Sequence, residues 1–212
     1  MRLSILLLFS VLQFSFLHCQ QKTTAVDIDI ETLPVLTEAD QQYKDVFKSL
    51  DGTWRGQFLI YEDNKRTKAK QEDLKNISKK NLDNKHLKQV GNIEVTQVYT
   101  SESPYFQKVV ITDFYSDKNQ KVVSKGINKV ENGKMLCIVK KPDETVIHDG
   151  YVDANDEQTI IWHRTETSPQ KVEFFRETVL EKTYEIIGWG YYEGDDTSLS
   201  PRLWFHGKYV RQ

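Results

Sequence analysis

Cysteine is scarce in this chain of 212 residues, which contains only Cys19 and Cys137. Two cysteines are too few for a disulfide framework, so a small disulfide-stapled fold is excluded. Cys137 lies among Leu136, Ile138 and Val139. This setting predicts a small buried apolar side chain on a strand rather than a reactive thiol.

Excess charge and recognisable catalytic motifs are also lacking. The net charge is only −2, so no global field steers the chain toward nucleic acid or anionic lipid. The sequence contains no Gly-x-Ser-x-Gly motif, no P-loop, no dinucleotide fingerprint and no closely spaced Cys/His set. We therefore predict no catalytic residue, no metal site and no nucleic-acid partner. Enzymatic activity stays open but is not favoured.

Only one long hydrophobic run is present, at residues 5–17, and a single positive charge, Arg2, precedes it. The run is too short for a stable membrane anchor and is typical of a signal peptide, which we place at residues 1–19. We expect export and a mature protein that does not span a membrane. The residues around Cys19 resemble a bacterial lipoprotein box, although His18 stands where that box has a small residue. Lipidation of Cys19 and ordinary cleavage nearby both remain open.

A short helix is predicted to precede the first strand. Residues 20–36 form a polar segment that we expect to be flexible. Thr37 then fits the N-cap of a helix, because acidic residues follow it in the first turn. Tyr43, Phe47 and Leu50 recur at helical spacing and form one apolar face.

Residues 37–212 read as one antiparallel β-domain. In the first strand, Trp54, Gly56, Phe58 and Ile60 share a face that should point inward. Turn residues separate the later strands, and short links between strands imply antiparallel neighbours. The prediction is an all-β antiparallel meander barrel of about ten strands, whose strands lie at residues 53–62, 93–100, 105–116, 121–130, 134–140, 145–152, 158–166, 171–181, 183–192 and 202–211.

One stretch, residues 63–91, interrupts the strand rhythm. Between residues 65 and 88 it contains nine Lys or Arg and three Asp or Glu. Such a basic run invites a polyanion-binding interpretation, but it lacks the interleaved aromatic residues that single-strand binding needs. We interpret it as a Lys-rich, solvated insertion between the first two strands.

The Gly52-x-Trp54 motif that opens the first strand resembles that of the lipocalin and calycin group of ligand-binding barrels. In that group the tryptophan packs across the closed end of the barrel against a basic residue of the last strand. The resemblance makes Arg211 that partner, since a guanidinium stacks favourably on an indole. It implies that Trp54 and Arg211 form a structural clasp.

A weaker resemblance, to the nitrobindin-type barrels, is carried by Leu50-x-Gly52-Thr53-Trp54-x-Gly56. It implies a haem ligand on a late strand, for which His206 is the candidate. On that strand Phe205 and Tyr209 have the opposite parity, so His206 should point outward if they point inward. No cofactor is otherwise expected, and haem stays an alternative.

Candidate ligand-binding residues are aromatic and basic side chains that share a parity on their strands. If they line a cavity, they suit an apolar ligand with an acidic head; alternatively, large aromatic residues simply fill the barrel. We therefore expect a non-catalytic barrel that binds a small apolar or amphipathic ligand, with a filled structural or interaction protein of the cell envelope and a haem-binding or lyase-like barrel as alternatives. The candidates are Phe58, Trp162, Arg164, Phe174, Arg176 and Trp189.

Overall fold

Ten antiparallel strands close into a barrel in the structure, a computed structural model that describes residues 29–168 and 170–212. The strands follow one another around the wall in chain order, and β1 closes the ring by pairing with β10. This confirms the predicted meander barrel, whereas the predicted signal peptide and Cys19 lie outside the described residues. The strands are β1 Gly52–Asp63, β2 Leu87–Ser103, β3 Phe106–Tyr115, β4 Gln120–Glu131, β5 Lys134–Lys140, β6 Thr145–Asp153, β7 Asp156–Thr167, β8 Gln170–Val179, β9 Thr183–Tyr192 and β10 Leu203–Arg211.

Tight turns set the register of the wall. Asn132 and Gly133 join β4 to β5 with φ values of 53° and 73°. Two-residue hairpin turns need such left-handed conformations, which Asn-Gly adopts at little cost. The N–H of Gly133 also donates to the buried carboxylate of Asp40, 2.6 Å away, so this hairpin is tied to the segment before β1.

That segment closes one end of the barrel, and we call residues 38–50 the plug. Phe47 and Leu50 are buried there, and Phe47 stacks on Trp162 of the wall with ring centroids 6.4 Å apart. The predicted short helix before the first strand is thus confirmed. It is divided in two because Asp45 adopts a left-handed φ of 61°, which a helix cannot continue through. The two parts are the 3₁₀ helices Glu38–Tyr43 and Lys48–Leu50.

The closure of the ring also brings the two predicted clasp residues together. Trp54 and Arg211 are register partners on β1 and β10, and Trp54 is fully buried beside the plug. The guanidinium carbon of Arg211 lies 4.2 Å from the centroid of the Trp54 ring. The predicted contact is therefore present.

Between β1 and β2 the chain forms two short helices, α1 Gln71–Lys75 and α2 Lys79–Leu82. The lysines of this insertion are exposed, as expected for a solvated segment. Leu74 and Ile77 are not: they are buried on the outer wall in a cluster with Trp189 and Trp204. The insertion is therefore packed against the barrel, and β2 begins at Leu87, earlier than predicted.

Part of the segment that we expected to be flexible is packed as well. Ile30 is buried on the outer wall in a cluster with Phe106, Ile127 and Ile138. This burial, together with the ion pair between Glu31 and Lys108 of β3, places the chain on the wall at that point. The earlier residues of that segment, 20–28, lie outside the described part of the chain.

Candidate functional site: the barrel interior

Three of the six predicted ligand-binding residues face the barrel interior. Phe58 packs against the inner cluster around Trp54. Trp162 reaches the plug through its contact with Phe47. Arg164 lies two residues further along β7, on the same side as Trp162, and is only 5% exposed.

Phe174, Arg176 and Trp189 lie on the outer wall, so the prediction that they line the interior is wrong. Phe174 and Trp189 stack with ring centroids 5.5 Å apart beneath the insertion. Trp189 donates its indole N–H to the carbonyl of Leu74 at 2.8 Å. Arg176 extends to the carboxylate of Asp153, 2.5 Å away. The insertion covers an apolar outer surface here, which is why the alternation pointed to the wrong side.

Part of the surface that faces the barrel axis remains accessible. Several side chains that point toward the barrel axis are only partly buried although the wall surrounds them. Burial is the largest cause of the raised pKa of two of these groups, the Cys137 thiol and the Glu177 carboxyl, so both are enclosed by protein. We interpret the accessible surface of these inward-facing side chains as space inside the barrel. The side chains concerned are Phe58, Ile93, Ile111, Cys137, Phe175 and Glu177.

A row of aromatic rings crosses this space from β1 to β6. Phe58 stacks on Phe205 with centroids 5.7 Å apart, and Phe205 lies 5.5 Å from Phe175. Phe175 in turn meets the edge of His148 at 5.5 Å. The ring of Phe175 packs against Gly188, where a Cβ atom would come within 2.4 Å of the ring. The row gives the interior an apolar, aromatic lining at mid-height.

Polar groups form a floor between this row and the plug, which we define as Gln97, Tyr99, Trp162, Glu177 and Tyr184. Trp162 donates its indole N–H to Glu177 Oε2 at 2.8 Å, and Tyr184 also hydrogen-bonds this carboxyl. The hydroxyl of Tyr99 donates to Gln97 Oε1 at 3.0 Å and lies 3.5 Å from that of Tyr184. Burial raises the pKa of Glu177 to about 7, because the surroundings disfavour the charged form more than the two hydrogen bonds stabilise it.

At the opposite end, the mouth, the buried Arg164 is surrounded by carboxylates. Its guanidinium contacts Glu166 at 2.5 Å, Glu144 at 3.1 Å and Glu173 at 3.4 Å. Burial alone would raise the pKa of Glu173, but the nearby imidazole of His148, a hydrogen bond from Tyr192 and the charge of Arg164 lower it to about 2. The positive charge of Arg164 is therefore already neutralised within the protein.

Two polar atoms inside the described part of the barrel have no hydrogen-bond partner. They are Ser124 Oγ and His148 Nε2, and both atoms are buried. Ser124 faces the interior, since its register partner is the inward-facing Ile111. Buried polar atoms are nearly always hydrogen-bonded in folded proteins. Ser124 Oγ is therefore available to a polar group of a molecule in the interior, whereas His148 Nε2 faces a carboxylate oxygen of Glu173 at 3.6 Å.

The haem candidate, His206, does not face the interior. It lies on the outer side of β10, is 3% exposed, and its Nε2 atom is 2.7 Å from a carboxylate oxygen of Glu185. Burial is the main cause of its lowered pKa. As the parity on this strand predicted, a haem inside the barrel would be out of reach of His206.

The described ranges contain no group of three or more His, Cys, Asp or Glu side chains that would hold a metal ion. The same residues include no helix that is both long and apolar enough to cross a membrane.

Comparisons with known proteins add little to this geometry. No protein-family model matches the chain, and no curated protein sequence matches it either. Among solved structures, EF1p2_mFAP2b bound to DFHBI is 12% identical with a TM-score of 0.37, and covers 80% of this chain and 99% of its own. A redesigned β-barrel is 11% identical with a TM-score of 0.35, and covers 80% of this chain and 96% of its own. At these TM-scores the fold assignment rests on the closed ring of strands in this chain alone.

Proposed function

We propose that this protein is an exported, lipocalin-like barrel that holds a small apolar or amphipathic molecule in its interior without catalysing a reaction. The observation that carries the proposal is the partial exposure of inward-facing side chains around the aromatic row Phe58–Phe205–Phe175–His148. Enclosed, largely apolar spaces with a few polar groups are typical of small-molecule sites. The alternative function, a structural protein with a filled barrel, leaves this accessible surface without a role.

The proposal includes no haem and no metal. His206, the only histidine that the nitrobindin resemblance offered, is on the outer wall and is held by Glu185. Purified protein mixed with haem should therefore show no Soret band of a ligated haem. A stoichiometric Soret band that disappears in His206→Ala would contradict this part of the proposal.

Binding in the interior can be tested with a neighbouring pair of substitutions on β3. Ile111 points inward and is partly buried, whereas Val110 points outward and is 39% exposed. With the neutral dye N-phenyl-1-naphthylamine, the wild type should show saturable fluorescence enhancement at one site. Ile111→Phe adds volume inside and should weaken the dye about tenfold, because overfilling a cavity excludes its occupant. Val110→Phe adds the same ring outside and should bind like the wild type.

Equal weakening by both substitutions, or no saturable binding by the wild type, would contradict a binding interior and favour the filled barrel. Native mass spectrometry of protein purified from its own source then identifies the occupant, since a retained ligand adds its own mass.

Export and anchoring belong to the same proposal and rest on residues 1–19. The intact mass of the mature protein distinguishes the two routes. Lipidation should leave Cys19 as a modified first residue in the membrane fraction, and Cys19→Ser should abolish that modification. Ordinary cleavage should give an unmodified, freely soluble product. Cytosolic protein that retains residues 1–19 would contradict export.

A further inference from the structure

The inward-facing charges of the barrel are mostly negative. The acidic side chains Asp113, Glu166, Glu173 and Glu177 occupy inward positions on their strands, and the basic ones found with them are Arg164 and Lys171. Lys171 already pairs with Glu144 at 3.4 Å and with Glu166 at 4.0 Å. Arg164 already has three carboxylate partners, including Glu173. An acidic ligand head, which the sequence led us to expect, would therefore meet a neutralised guanidinium and unpaired carboxyl groups.

Asp113 and Glu177 are the inward carboxyls for which the described part of the chain shows no ion pair, and Glu177 is the one that hydrogen-bonds aromatic side chains. None of the ion pairs found among residues 29–168 and 170–212 includes it, and the groups that interact with it are the Trp162 indole and the Tyr184 hydroxyl. Its side chain is nevertheless partly accessible to the internal space. An unpaired carboxyl in an enclosed site is costly to retain, because charge is poorly solvated there.

Aromatic rings surround this carboxyl. Tyr184 lies 5.0 Å from Tyr209 and 6.4 Å from Tyr99, measured between ring centroids. The indole of Trp162 completes the set through its hydrogen bond to Glu177. Aromatic faces attract cations by their quadrupoles, most strongly where water is excluded. A carboxylate among such rings is a favourable place for a protonated amine.

We infer that the ligand of this barrel is an amphipathic molecule with a cationic amine, whose ammonium group pairs with Glu177 while its apolar part lies against Phe175 and Ile111. This inference rests on the proposed function and specifies its ligand class. The ammonium donates hydrogen bonds to the carboxylate and contacts the rings of Tyr99 and Tyr184. A ligand with a carboxylate head is disfavoured at the same position by repulsion.

Binding of this kind depends on pH. Below the pKa of Glu177, about 7, the carboxyl must release its proton before it pairs with an ammonium ion, so amine affinity should rise with pH and level off above neutrality. The other titratable groups that face Glu177 are Tyr99, Cys137, Tyr184 and Tyr209, from four strands. Burial raises the pKa of each of these four groups, so they stay neutral throughout. His148 and Glu173 lie further toward the mouth.

Three probes of one shape test the inference: phenylbutylamine, phenylbutanol and phenylbutanoate, measured by isothermal titration calorimetry with the full-length protein. At about pH 8 the wild type should bind the amine about tenfold more tightly than the alcohol, and the carboxylate most weakly. At about pH 5.5 the preference for the amine over the alcohol should largely disappear, because Glu177 is then protonated.

Two variants locate the effect. Glu177→Gln keeps the shape but removes the charge, and should lose the amine preference while it retains alcohol binding. Glu157→Gln removes a carboxylate from an exposed position on β7 and should behave like the wild type. Alcohol binding without an amine preference, or a preference that persists in Glu177→Gln, would overturn the inference but not the proposed function. Binding of none of the three probes would overturn both.

Discussion

Arg211, the last residue of β10, lies with its guanidinium carbon 4.2 Å from the ring centroid of Trp54, near the start of β1. Its N–H groups also donate to the carbonyls of Ser49, at 2.8 Å, and of Asp51, so the same side chain binds the end of the plug. Gly52 has a φ of 119°, and a Cβ there would lie 3.0 Å from the guanidinium. The glycine of Gly-x-Trp is thus required by backbone conformation and by the space that Arg211 occupies.

Loss of this contact should destabilise the barrel at its seam, the pairing of β1 with β10 that closes the ring. We expect Arg211→Ala to lower the free energy of unfolding by about 2 kcal/mol, since it removes a cation–π contact and hydrogen bonds to backbone carbonyls. Lys208→Ala, at an exposed position on the same strand, should lower the free energy of unfolding by less than about 0.5 kcal/mol. Urea denaturation measures both. Equal effects of the two substitutions would show that the seam does not depend on the clasp.

Glu177 should give the protein a recognisable pH dependence of stability. Its pKa is about 7 in the folded protein and lies near its ordinary value of 4.5 in the unfolded chain. Between these values Glu177 holds a proton in the folded state that it has released in the unfolded state, so its contribution to stability falls as pH rises from about 4.5 to 7. The loss approaches about 3 kcal/mol. The lowered pKa of Glu173 changes stability only below about pH 4.5, whereas the lowered pKa of His206 opposes the effect of Glu177 below about pH 6.5.

Glu177→Gln should remove this loss, so the variant should gain on the wild type by up to about 3 kcal/mol between pH 4.5 and pH 8 in urea titrations. Glu157→Gln, which alters an exposed carboxylate, should follow the wild type at every pH. A variant profile parallel to that of the wild type would mean that Glu177 is not protonated in the fold.

The strands of the barrel could be predicted because most of them alternate apolar and polar residues and because Gly, Pro, Asn, Asp and Ser mark the turns between them. The same holds for the seam, where two residues distant in sequence, Trp54 and Arg211, have a simple physical reason to meet. Strand bounds differed most at β2, whose first residues follow the insertion directly and lack regular alternation.

The inward side of β8 and β9 was not predictable from alternation. Phe174 and Phe175 are neighbours in sequence, as are Ile186 and Ile187, so both sides of these strands are apolar. Alternating side chains show which residues of a strand share a face, but not which face points inward. When another segment covers the outer face, both faces are apolar and cannot be told apart by composition. Here the cover is the insertion. Glu177 was not predicted as a site residue because an acidic side chain is not expected inside a barrel. Only the register of the closed ring shows that it points inward.

The charge of Arg164 should be essential to the mouth. Arg164→Met keeps an apolar stem of similar length but removes the guanidinium that pairs with three carboxylates, among them the buried Glu173. This should lower the free energy of unfolding by about 3 kcal/mol near neutral pH. Part of this loss should be recovered at about pH 4.5, since Glu173 will protonate more readily without the guanidinium. The matched control is Arg202→Met, an ion-paired side chain that is 41% exposed, which should cost less than about 1 kcal/mol. If Arg164→Met lowered the free energy of unfolding less than Arg202→Met does, the ion pairs of Arg164 would not be important for stability.

The packing of the insertion on the outer wall gives the final prediction. Ile77 is 2% exposed in the cluster with Trp189 and Trp204. Ile77→Ala should therefore weaken the packing of residues 64–86 on the wall by about 2 kcal/mol of free energy. Because the insertion covers the wall without belonging to the strand ring, the barrel should stay folded while the tryptophan emission shifts to the red. Limited proteolysis should then cut within the insertion faster than in the wild type. Lys75→Ala changes an exposed side chain of α1 and should leave emission and cleavage unchanged. Unfolding of the whole barrel by Ile77→Ala would instead make the insertion part of the cooperative core.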